Sequence, residues 1–165
     1  MSKFEIRTIP GHIAYMAEYD IDSYYEFFDF ETGDNQLQDL EDLMHSENPD
    51  VTVPEMPDDY NYFTHPMATI PEGKMHIKYY DMVDKSGVDN PDGKYRFVEV
   101  PEVKAAVIEH HGAFSKIADS IREIFELIKA EKFTVSGDTR VSAIHGPWDR
   151  DSEEGYLMEI EVPIK

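Results

Sequence analysis

Lys3–Ile9 and His12–Tyr19, both rich in apolar and aromatic residues, read as two strands turning at Pro10-Gly11. Ile21, Tyr24, Tyr25 and Phe28 then fall at helical spacing until Gly33 interrupts, and Leu37, Leu40, Leu43 and Met44 resume it in an acidic stretch. Between Asn48 and Pro71 stand five prolines, at 49, 54, 57, 66 and 71. Proline removes a backbone donor and disfavours helix before it, so this stretch reads as an irregular excursion with at most short edge strands. Its aromatics Tyr60, Tyr62 and Phe63 need a surface to pack on, which places it over the domain. Met75–Val83 is strand-like, and Asp84–Gly93 is a polar turn.

After that turn the rhythm begins again. Tyr95–Val100 and Val103–His111 read as strands bent at Pro101, and Ser115 is the expected N-cap of a helix running to about Lys132. Ile117, Ile121, Ile124, Phe125 and Ile128 place one apolar stripe on that helix, facing a sheet. Thr139–Ile144 and Tyr156–Ile164 close the chain as strands joined by the acidic loop His145–Gly155.

The two halves superpose without a gap over Phe4–Glu18 and Tyr95–Glu109, with Pro10 on Pro101, Ala14 on Ala105 and Glu18 on Glu109. Each copy is a strand pair, an amphipathic helix and two more strands. The expected fold is therefore α+β: duplicated strand–helix–strand–strand units in one antiparallel sheet, helices on one face, and a groove at the pseudo-two-fold junction. One domain is expected over residues 1–165, with a first repeat of about 1–84 and a second of about 94–165.

Composition narrows the chemistry. A length of 165 residues with 20 aromatics suits one packed core. The absence of Cys excludes disulfides and thiolate chemistry. The start shows no basic segment followed by an apolar stretch, no run approaches a membrane span, and a cytoplasmic location is expected. The formal charge of −20 disfavours contact with nucleic acid and favours cations in any cleft. His110 and His111 point to opposite faces of a strand and cannot share a metal ion easily, and the acidic loops lack the spacing of a calcium loop. No cofactor, metal or nucleophile is expected.

The run YRFVEVPEVKAAVIEHHGAF at 95–114 and the ending Met158-Glu159-Ile160-Glu161-Val162-Pro163-Ile164 resemble the GyrI-like small-molecule-binding family. That family comprises effector domains of AraC-type and MerR-type multidrug regulators and free-standing single-domain proteins. Ala113 and Phe114 replace its usual Pro-Tyr, and Ile144 stands where many members carry Tyr. The resemblance implies a groove with a glutamate floor and aromatic walls, the glutamate serving as counter-ion for a lipophilic cation. By motif that residue is Glu159.

The alternation of the last strand turns Tyr156, Met158, Ile160 and Val162 towards the helices, and Leu157, Glu159 and Glu161 away. Sliding Met75–Val83 onto Tyr156–Ile164 sets Lys78 against Glu159 and Tyr80 against Glu161, so Lys78 is expected to pair with Glu159 across the dyad. Tyr15 and Tyr19 are assigned to the groove walls, with His110 the counterpart of Tyr19 in the second copy. Trp148 is a candidate cap. The resemblance implies three competing functions: capture of amphipathic cations, hydrolysis of strained DNA-alkylating natural products by a groove Glu with Tyr15 or Tyr19, and interaction with gyrase or another protein partner. These residues contain no second unit to bind DNA, so promoter control by this chain alone is not expected.

Overall fold

The computed structural model describes residues 4–23, 33–55 and 59–165. In chain order its strands are β1 (Glu5–Ile9), β2 (His12–Ile21), β3 (Asn61–His65), β4 (Met75–Val83), β5 (Arg96–Val100), β6 (Val103–His111), β7 (Thr139–His145) and β8 (Leu157–Pro163). Helix α1 (Gly33–Glu47) precedes β3, and α2 (Ile117–Ala130) precedes β7. The strands form one eight-stranded sheet, ordered β1-β6-β8-β7-β3-β4-β2-β5, in which every pairing is antiparallel.

The duplication is visible in the register. Ala14 pairs with Met82, Met16 with Tyr80 and Glu18 with Lys78; in the second half Ala105 pairs with Pro163, Val107 with Glu161 and Glu109 with Glu159. The first strands are exchanged between halves. β1 adds to β6 rather than to β2, and β5 adds to β2 rather than to β6. Pro10-Gly11 is therefore a crossing linker, where the sequence predicts a turn between paired neighbours. It crosses its counterpart closely: a Cβ at Gly11 would stand 3.1 Å from the Val100 oxygen and 3.1 Å from the Glu102 nitrogen. The two halves meet at β3 and β7, where Phe63 pairs with Val141.

Both helices cover one face. Leu40 and Met44 of α1 and Ile117, Ile121, Ile124 and Ile128 of α2 share a buried cluster with Tyr15, Tyr79, Phe63, Val141, Met158, Ile160 and Val162. Neither described helix covers the other face, on which Ile9, Ala105 and Val107 form a second, smaller buried cluster with Tyr60 and Val103 packed against it. No helix among the described residues is long and apolar enough to cross a membrane.

Three expectations need correction. β3 is a central strand, paired on both sides, and not an edge; Pro54 and Pro66 flank it, leaving Asn61–His65 free to donate to both neighbours. Ser115 lies in a 3₁₀ turn (Phe114–Lys116), and Lys116 occupies the N-cap of α2 without a side-chain cap bond. β2 extends to Ile21, while Tyr24, Tyr25 and Phe28, where helical spacing predicts a turn of helix, lie outside the described residues.

Candidate functional site

Period-two alternation decides which side chains reach the open face. One row crosses seven strands in register: Glu5, Val107, Glu161, Arg140, Thr64, Lys78 and Glu18. The crossing linkers bridge this face and leave a cavity on each side. The first, about 280 Å³, lies between the Thr8–His12 linker and the sheet, and Arg7, Tyr60, Met82, Glu159 and Glu161 line it. The second, about 310 Å³, takes in Tyr62, Tyr80, Arg96, Val98 and Arg140. The two are mates under the duplication. Glu161 holds the register position of Tyr80, and Arg7 that of Val98, because Arg7 pairs with Ala105 as Val98 pairs with Ala14.

The first cavity holds two acids in different states. Glu159 accepts from Arg7 Nη1 at 2.9 Å and is partly exposed. Glu161 is 2% exposed and accepts from the Tyr60 hydroxyl at 2.5 Å. Burial pushes the Glu161 carboxyl up to about 7; the Tyr60 bond opposes that, the charge of Glu159 adds to it, and Arg140 and Arg7 pull it back. Arg7 stands 4.0 Å from Glu161. Tyr60 also accepts from Arg140 Nη1 at 3.3 Å, and the Arg140 guanidinium lies 5.0 Å above the Tyr62 ring. His12 meets Tyr60 edge-on at 5.1 Å, its Nε2 is 2.9 Å from the Tyr62 hydroxyl, and burial lowers its pKa. The result is a half-aromatic cleft with one ion-paired carboxylate and one neutralisable one.

A third acid lies beneath the helices. Asp81 shares its parity with Ile77, Tyr79 and Val83 and is 5% exposed. Tyr15 donates to its Oδ2 at 2.7 Å. Burial pushes Asp81 up to about 7, with Glu41 and Asp59 adding repulsion. Tyr79 and Tyr95 stand edge-on to Tyr15 at 6.4 and 6.2 Å.

The expected site residues therefore divide. Glu159 and Glu161 meet at one cavity, Tyr80 lines its mate, and Leu157 shares their strand and open-face parity. Tyr15 and Tyr19 stand on the helix side, so they do not wall the groove that holds Glu159; their parity follows Ala17 into the core. Lys78 does not pair with Glu159. It is separated from Glu161 in its own row by Thr64 and Arg140, about 14 Å at ordinary strand spacing, and Arg7 takes Glu159 instead. His110 faces α2, with Nδ1 2.6 Å from Ser120 Oγ and Nε2 2.8 Å from the Ala113 carbonyl. Trp148 packs on Phe114 at 6.3 Å near the start of α2 and caps neither cavity described here.

Sequence reasoning missed Arg7, His12, Tyr60, Asp81 and Arg140. Parity alone exposes Asp81, a lone acid on the apolar side of β4. Arg7 reaches Glu159 only through the strand exchange, which no local pattern encodes. Among the described residues no group of three or more His, Asp or Glu is placed to hold a metal ion.

By sequence, no family model and no curated protein matches the chain. Solved structures do match in fold. The EcmrR C-terminal domain aligns at 16% identity and a TM-score of 0.85, over 100% of this chain and 98% of that one. Against EcmrR in complex with DNA, the chain spans 57% of its length. A hydrolase from Listeria innocua aligns at 12% identity and a TM-score of 0.62, covering 99% and 92%. SAV2435 bound to tetraphenylphosphonium aligns at 17% identity and a TM-score of 0.57, covering 99% and 94%. At these identities the likeness is one of fold: the chain has the fold of the EcmrR C-terminal domain, in keeping with the GyrI-like fold that the sequence resemblance implies.

Proposed function

We propose that this protein is a small-molecule-binding module that captures amphipathic cations in the open-face cavity beside Glu159 and Glu161. One observation carries the reading: Glu161 is a buried carboxyl, held near neutrality and opening onto a cavity, and among the described residues no cation is nearer than Arg7 at 4.0 Å. A buried acid of this kind is stabilised by an arriving positive charge, which replaces lost hydration. Tyr60 and His12 offer ring faces to a flat or quaternary cation, and Ile9, Pro10 and Met82 offer apolar contact. Arg7, 40% exposed at its side chain, must swing off Glu159 to admit a second charge contact. The fold it shares with SAV2435, which binds tetraphenylphosphonium, and with the EcmrR C-terminal domain supports the reading. The charge of −20 supports cations over nucleic acid as direct ligands.

Calorimetric titration with 2-naphthylmethyl-trimethylammonium, against neutral 2-naphthylmethanol, tests it. The cation binds wild type at least tenfold more tightly than the alcohol, and Glu161→Gln erases the difference. Equal binding of both compounds by wild type contradicts the proposal.

The hydrogen bond from Tyr60 to the buried Glu161 favours a second reading, hydrolysis. A carboxyl titrating near 7 beside a tyrosine hydroxyl is equipped to activate water, and a hydrolase from Listeria innocua shares the fold. Turnover of an electrophilic epoxide or aziridine by wild type, lost in Glu161→Gln while cation binding to Tyr60→Phe persists, would establish it; no turnover excludes it.

A further inference from the structure

We propose that the second open-face cavity is a separate site for planar aromatic anions, with the anionic group held by Arg140 and the ligand's approach favoured by Arg96 at the mouth. The chain has 35 acidic residues against 15 basic ones, so its arginines should find carboxylates easily. Arg7, Arg122 and Arg150 do so, each with a carboxylate oxygen within 4.0 Å. Among the described residues Arg96 and Arg140 have no such partner, and both line this one cavity.

Arg140 is the stronger half of the pair. It is 6% exposed, and its only side-chain hydrogen bond among the described residues is the 3.3 Å contact to Tyr60. A guanidinium carries five N–H donors in a planar fork that matches a carboxylate, and Glu161 acts on this one only at a distance, with no carboxylate oxygen of the described residues within 4.0 Å to take its donors. Its row neighbour Thr64 adds a hydroxyl on the same wall. Arg96 stands exposed at the mouth, on the edge strand β5.

The rest of the cavity selects a flat ring. Tyr62 and Tyr80 stack on each other at 5.0 Å and 13°, Tyr62 is buried beneath the Arg140 guanidinium, and the partly exposed Tyr80 is the ring on which a ligand ring would extend the stack. Val98, Val100 and Pro101 supply an apolar wall, and Glu99 and Asp138 are exposed acids of the rim. Those rim acids limit the ligand to one anionic group, directed inward. The duplication explains the opposed chemistries: the register position that holds Glu161 in one cavity holds Tyr80 in the other. Its volume of about 310 Å³ accommodates a bicyclic ring with one carboxylate.

The test is calorimetric titration with 2-naphthoate, against neutral 2-naphthylmethanol, on wild type, Arg96→Gln and Arg140→Gln. Naphthoate binds wild type about tenfold or more tightly than the alcohol. Arg96→Gln weakens it at least threefold, and Arg140→Gln removes the preference for the anion. If Arg140→Gln fails to fold by circular dichroism, the exposed Arg96→Gln carries the test alone. Naphthoate binding no tighter than the alcohol, or unmoved by Arg96→Gln, overturns the proposal.

Discussion

Tyr60 donates its hydroxyl proton to Glu161 at 2.5 Å across 101 positions of sequence, tying the proline-rich excursion to the last strand. The same oxygen accepts from Arg140 at 3.3 Å, so one phenol stands between a buried acid and a buried base. Neither arginine near Glu161 forms a close pair with it, and its carboxyl stays near neutrality. This leaves room for a ligand's charge.

The first prediction concerns pH and cation binding. Glu161 has an ordinary value of 4.5 and is held at about 7 in the folded protein. Only its ionised form attracts a cation, so affinity rises as pH increases through 7. Between pH 6 and pH 8 the 2-naphthylmethyl-trimethylammonium affinity should rise about tenfold by calorimetry, given the change in ionised fraction. Glu161→Gln should show no such rise.

Removing the competing cation should help the ligand. Arg7 is paired with Glu159, but both side chains retain solvent contact, 40% and 24%. Such a pair contributes little, under about 1 kcal/mol, so its loss frees Glu159 without collapse of the site. Arg7→Met should tighten cation binding two- to fivefold on that scale. Weaker binding would mean that Arg7 shapes the cavity rather than competes for its acid.

Asp81 governs stability rather than binding on the open face. Its folded value is about 7 against an ordinary 3.8. Below about pH 4 both folded and unfolded chains hold the proton and it contributes nothing. As pH rises towards 7 the unfolded chain ionises first, so stability falls, and above 7 the loss is complete. Asp81→Asn should flatten this slope and stabilise the protein at pH 8 by roughly 1–3 kcal/mol in urea unfolding. A lower stability at pH 8 would show that the Tyr15–Asp81 bond outweighs the burial of charge.

The crossing of the linkers makes its own demand. A Cβ at Gly11 meets two backbone atoms at 3.1 Å, and backbone cannot turn aside as a side-chain end can. Gly11→Ala should lower stability by about 1–2 kcal/mol and weaken ligands of both open-face cavities, since both are bounded by the crossing. A variant of wild-type stability and affinity would show that the linkers part freely.

Much of this fold is legible along the chain because period-two alternation and repeated rhythm are local properties. They place Glu159 and Glu161 on the face away from the helices, and the gapless superposition of Phe4–Glu18 on Tyr95–Glu109 reappears as matching ladder registers. What is hidden is pairing between distant strands. Nothing in the spacing of Glu5–Ile9 says that β1 crosses to β6, and so nothing brings Arg7 to Glu159, 152 positions away. β3 is hidden for another reason: five strand residues between prolines carry too short a pattern to mark a central strand. Tyr15 shows the limit of parity, which separates two faces without saying which one the helices cover.

The most direct test of the central claim is the pKa of Glu161 itself, followed by carbon-13 NMR of its side-chain carboxyl with and without saturating 2-naphthylmethyl-trimethylammonium. The account predicts a value near 7 in the free protein and a fall of at least one unit on binding, since a bound cation stabilises the ionised form. A Glu161 pKa that the bound cation leaves unchanged would contradict it.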